Sequence, residues 1–148
     1  MKKLLIAAVL LGSFVIDANA QAEYKIITTI ESIVPGGMGR SRIIENGTEI
    51  DYQQFTTERT DGKKSKQGDI KRGDAKVDKF AETKMLNFYS MAGINFQNVA
   101  SNDALATSML NSMLKDGWKL FTVVSGVESD AGKGDGSGIF ITRYIFTK

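Results

Sequence analysis

Residues 102 to 124 read Asn-Asp-Ala-Leu-Ala-Thr-Ser-Met-Leu-Asn-Ser-Met-Leu-Lys-Asp-Gly-Trp-Lys-Leu-Phe-Thr-Val-Val, and their pattern decides the fold. Leu105, Ala106, Met109, Leu110, Met113 and Leu114 recur as adjacent pairs every four positions, with Thr107, Ser108, Asn111, Ser112 and Lys115 between them. That spacing is one apolar stripe on an α-helix. Asn102 or Asp103 is placed to cap its start, and Gly117 stands where a left-handed residue closes a helix. Such a stop folds Trp118 back on Met113 in a Schellman-type turn, and a strand from Trp118 onward follows at once.

Outward from this stretch, the C-terminal end reads as a long hairpin. Trp118 to Val127 rises, a Gly-rich loop from Glu128 to Gly138 turns, and Ile139 to Thr147 returns. The returning strand sets Ile139, Ile141 and Ile145 against Phe140, Tyr144 and Phe146, so it is apolar on both faces and belongs inside a sheet. At the other end, Tyr24 to Val34 alternates in the same way and reads as a central strand ended by Pro35-Gly36-Gly37. Asn46-Gly47, between Arg42-Ile43-Ile44-Glu45 and Thr48-Glu49-Ile50-Asp51, predicts a two-residue type I′ hairpin in which Ile43 faces Ile50 and Arg42 faces Asp51. From Glu58 to Lys76 charges alternate around Ile70 as the lone large aliphatic, which predicts a mobile loop. Thr83-Lys84-Met85-Leu86-Asn87 echoes Thr107-Ser108-Met109-Leu110-Asn111 at the same distance from a glycine. If the echo is structural, a second helix spans about 76 to 91 and closes at Gly93. The class is α+β: an antiparallel sheet with one or two helices packed on one face.

Lys2 and Lys3, the apolar run Leu4 to Ile16, and Ala18-Asn19-Ala20 lie in the order of a secretory signal peptide. Residues 1–20 are therefore expected to be removed near Ala20, leaving residues 21–148 as a single periplasmic or secreted domain. No later run has the ~20 apolar residues of a membrane helix, so the mature chain is expected to hold no integral membrane segment. Removing Lys2, Lys3 and Asp17 turns 19 basic and 17 acidic residues into 17 and 16. That balance does not select a polyanion, and the basic stretch from Arg59 to Arg72 lacks the aromatic residues that stack bases; no nucleic-acid partner is expected.

Cysteine and histidine are both absent. Disulfides, thiolate metal sites, Ser-His-Asp triads and ordinary zinc centres go with them, and no catalytic residue, metal ligand or cofactor site emerges. In the loop from Asp130 to Gly138, five residues separate Gly126 from Gly132-Lys133 and Gly134 follows, so it fails the phosphate-loop spacing. Calcium on Asp130 and Asp135 lacks the closing bidentate Glu. The two Gly-rich loops instead suit recognition, with Gly36, Gly37, Met38 and Arg40 in one and Asp130, Lys133 and Asp135 in the other. The expected function is a non-enzymatic binding module of the cell envelope whose partner is an envelope protein or a glycan. The alternative is a carboxylate-dependent hydrolase of envelope glycans using two of Glu31, Glu49, Asp51 and Glu128. Oligomeric state is open at this point.

The helix with Leu110-Asn111, then Gly117-Trp118-Lys119-Leu120, then two antiparallel strands resembles a group of small bacterial proteins of unknown function over roughly Asp103 to Lys148. There an acid usually stands where Lys119 does. Val34-Pro35-Gly36-Gly37-Met38-Gly39-Arg40 resembles uncharacterised secreted proteins of Bacteroidetes-type bacteria. The resemblance implies the helix-strand-strand arrangement and carries no functional residue.

Overall fold

Alternating β-branched residues make Tyr24–Ser32 a strand, β1, in a computed structural model that describes residues 22–33, 41–128 and 138–148. β2 (Arg42–Asn46), β3 (Phe80–Lys84), β6 (Lys119–Glu128) and β7 (Ile139–Thr147) join it in one antiparallel sheet of order β3-β2-β1-β7-β6. A two-stranded hairpin, β4 (Tyr89–Ser90) and β5 (Gly93–Ile94), precedes the helix α1 (Phe96–Lys115). The fold is α+β, one helix against a five-stranded antiparallel sheet. β1 is the middle strand and β7 lies inside the sheet, in keeping with their two apolar faces.

The helix stop forms as its sequence dictates. Gly117 has φ +85°, the Trp118 N–H donates to the Met113 carbonyl at 3.0 Å, and the Gly117 N–H donates to the Leu114 carbonyl at 3.1 Å. These are the two bonds of a Schellman motif. α1 starts earlier than its apolar stripe suggests, because Asn95 caps it by accepting from the Asn98 N–H. Neither Asn102 nor Asp103 is a cap. Leu105, Met109, Leu110 and Met113 join Ile27 of β1, Ile43 of β2, Met85, and Tyr144 and Phe146 of β7 in the core, while Leu114 faces solvent. Trp118 packs at the margin of this cluster, half-buried, with the Lys25 and Lys148 ammonium groups 5.7 and 5.6 Å from its ring centre.

Two expectations fail for local reasons. Asn46-Gly47 does not make a hairpin: a type I′ turn needs positive φ at both central residues, and among the described residues only Gly62, Gly93 and Gly117 have it. Instead the Asn46 side chain accepts from the Thr48 N–H and donates to the Thr48 carbonyl, and the chain leaves the sheet. The strand that pairs with β2 is β3, in the register Ile43↔Thr83 and Arg42↔Lys84, with Arg42 ion-paired to Glu82. Between them, residues 47–79 hold two short 3-10 turns, Tyr52–Phe55 and Lys66–Asp69, and the Thr48 hydroxyl ties the ends together through the Lys79 carbonyl. In this excursion the N–H groups of Lys64 and Lys63 hold the Asp61 carboxyl below the usual carboxylate range.

The second helix is also absent. Residues 80–84 are strand, and the following segment is fixed to α1 by asparagines rather than by an apolar stripe. Gly93 shares a positive φ with Gly117 but sits in a hairpin, so the 24-residue echo has no structural counterpart.

Candidate interaction surface

The register assigns each strand residue to one side of the sheet. Ile27, Thr29 and Glu31 of β1 share the α1 side with Ile43, Tyr144 and Thr142. The other side carries Tyr24, Ile26, Thr28 and Ile30 beside Ile145, Arg143 and Ile141 of β7, Ile44 and Arg42 of β2, and Val124 of β6. Phe80 and Glu82 of β3 continue it, and a bulge between Leu120 and Thr122 turns Phe121 to the same side, where its ring meets Tyr24 edge-on at 5.8 Å. Among the described residues no element packs on this side. Tyr24 is 60% exposed, Phe121 62%, Ile26 and Phe80 49%, and Val124 48%. Single exposed apolar residues need no explanation, whereas a contiguous apolar sheet face does. Its charges lie on the strands around the middle: Arg42 is paired with Glu82, Lys84 stands across from Arg42 on β3, Lys119 begins β6, and Arg143 lies between Thr28 and Val124 with no ion pair among the described residues.

The α1 side holds a cleft of about 560 Å³ between the N-terminal half of the helix and the sheet. Phe88 and Phe140 stand in it as an edge-to-face pair 5.5 Å apart, and Glu31 and Asp103 line it together with Val99, Ser125 and Val127. Glu31 is held there by Asn102, which is 1% exposed and spends all its polar capacity on structure. Its Oδ1 accepts from the Leu86 N–H at 2.8 Å, and its Nδ2 donates to the Leu86 carbonyl at 2.7 Å and to Glu31 Oε1 at 3.0 Å. Asn98 donates to the Asn87 carbonyl at 2.7 Å, and Asn87 Oδ1 accepts from the Ser41 hydroxyl at 2.9 Å, which in turn accepts from the Ser32 N–H. This stitching of α1 to residues 85–88 and β1 went unread in the sequence, where Asn102 had a cap's place.

Of the carboxylates proposed for hydrolysis, Glu31 and Glu49 line separate clefts. Glu49 lines a different cleft, of about 490 Å³, with Tyr24, Ile26 and Trp118. Ile26 and Glu31 are five residues apart on one strand, a separation of ~17 Å at ~3.4 Å per residue. Asp51 accepts from the Gln53 N–H as the cap of a 3-10 turn. The side chain of Glu128 lies outside the described residues, as do the recognition candidates Gly36, Gly37, Met38, Arg40, Asp130, Lys133 and Asp135 and the expected signal peptide. Glu31 instead shares its cleft with Asp103, which sequence reading had assigned to capping. Among the described residues no group of three or more Asp and Glu side chains is arranged to hold a metal ion, and no helix is long and apolar enough to cross a membrane. No family model, curated protein or solved structure matches the chain.

Proposed function

We propose that this chain is a non-enzymatic interaction module of the cell envelope, periplasmic or secreted after cleavage near Ala20, and that it binds a protein through the sheet face opposite α1. The carrying observation is that face itself. Strands β1, β3 and β6 present Tyr24, Ile26, Phe80, Phe121 and Val124 to solvent with no covering element among the described residues, while the helix packs on the β1, β2 and β7 part of the other side. The polar groups support the same reading: buried Asn102 and Ser41 and half-buried Asn98 all bond to neighbouring parts of the fold.

A photo-cross-linking residue at Ile26 in the exporting cell tests this. The expected result is an adduct of discrete mass that is missing when the same residue replaces Ser108 on the polar side of α1. Equal labelling at both positions, or none at Ile26, contradicts the proposal. A second reading, hydrolysis of envelope glycans, draws on the cleft that Glu31 and Asp103 share. It predicts that Glu31→Gln abolishes glycan turnover, whereas the interaction reading predicts the Ile26 adduct unchanged in that variant.

A further inference from the structure

The interaction reading leaves open what covers the face, and we propose that the occupant is a second copy of the same chain, packed face to face about a two-fold axis running along β1. Size supports this. Strands of nine and ten residues at ~3.4 Å per residue, in five rows ~4.8 Å apart, give a surface of about 30 by 24 Å. With the shorter β2 and β3 allowed for, that is roughly 600 to 700 Å² of sheet per copy. Specific interfaces bury about 800 Å² per partner, and two sheets packed in this way sit about 10 Å apart.

Composition and charge point to self-pairing rather than to an unrelated strand or helix. The middle of the face is isoleucine, from Ile26, Ile30, Ile44, Ile141 and Ile145, and the polar residues beside them are threonines and arginines, with arginine enriched at interfaces. One row across the sheet reads Glu82, Ile44, Thr28, Arg143, Val124, from β3 to β6. Its cation and its carboxylate lie on opposite sides of the middle strand. Rotation about β1 lays β7 and β6 of one copy over β2 and β3 of the other, so Arg143 comes over Ile44 and beside Glu82 of the second copy, twice per dimer. In this row, where Glu82 is also held by Arg42 of its own copy, the face is complementary to itself, and a closed two-fold pair leaves no further site for growth.

Light scattering and sedimentation of the full exported chain over a dilution series test the inference. The expected mass is that of two chains. Val124→Glu and Ile26→Lys change half-exposed side chains, so melting and Trp118 emission should stay those of the parent while self-association weakens about tenfold or more. Arg143→Glu and Glu82→Arg should each split the pair, and the two together should restore it. A one-chain mass at all concentrations overturns the inference, and so does a two-chain mass that survives Val124→Glu or a double swap that stays monomeric. The Ile26 cross-link distinguishes the two levels of argument. A monomer that still gives the adduct in cells rejects the second copy and keeps the interaction module, whereas loss of the adduct rejects both.

Discussion

Asn102 shows how much one polar side chain can hold in this fold. It sits within α1, buried, with both amide hydrogens and its oxygen engaged, and it joins the helix to the Leu86 backbone and to Glu31. Asn102→Leu keeps the branched shape but strands the part-buried Leu86 N–H and carbonyl, so urea denaturation should show a loss of about 3 kcal/mol. A midpoint equal to the parent's would contradict the role given to it. Gly117 makes a backbone argument instead. Its φ of +85° disfavours any Cβ, and the space there is bounded by the Lys148 side chain, 3.5 Å from where a Cβ would stand. Gly117→Val should cost about 1 to 3 kcal/mol, and a variant melting with the parent would show that the turn relaxes without strain.

Trp118 belongs to the scale of elements, because the end of α1, the start of β6 and the ends of β1 and β7 meet around it. The sequence folds Trp118 back on Met113; the structure leaves the indole half-buried, flanked by two ammonium groups. Trp118→Ala should therefore cost about 2 to 3 kcal/mol, less than a fully buried aromatic. The flanking cations add a sharper test. Iodide should quench Trp118 emission more strongly than caesium does, and Lys148→Met should reduce that preference; stronger quenching by caesium would put the lysines elsewhere. The same elements mark what was legible beforehand. β1, β7, the helix stop and the C-terminal hairpin were readable because each follows from local periodicity or from one glycine. The hairpin at Asn46-Gly47 was misread because an asparagine side chain can close its own turn and send the chain outward, leaving β2 to pair across a 33-residue gap between Asn46 and Phe80. The helix that the echo would place around Leu86 does not form, because asparagines at positions 98 and 102 fix the segment through tertiary hydrogen bonds that no period reveals. The cleft was half legible: Glu31 was named, and Asp103 was hidden behind its expected capping role.

At the scale of the molecule, one helix packs against one face of a five-stranded sheet, and among the described residues no element packs on the other. Its edges differ in the same sense: β3 is short and carries Glu82 and Lys84, while β6 runs ten residues and exposes Leu120, Val123 and Val127 on the α1 side as well. Export is a separate prediction at this scale. Mass spectrometry of the secreted or periplasmic protein should find Gln21 as the first residue, and retention of Met1 would contradict the leader reading. The central claim, that the face opposite α1 is covered in the functioning protein, is open to a direct measurement because the chain has no cysteine and a single introduced thiol reports alone. Maleimide labelling of Ile26→Cys and of Met91→Cys, which is at the exposed hairpin, should be compared in the cells that make the protein and in the diluted pure chain. The account predicts slow labelling at Ile26→Cys in cells, speeding up on dilution, with Met91→Cys fast in both; equally fast labelling of the two thiols in cells would contradict it.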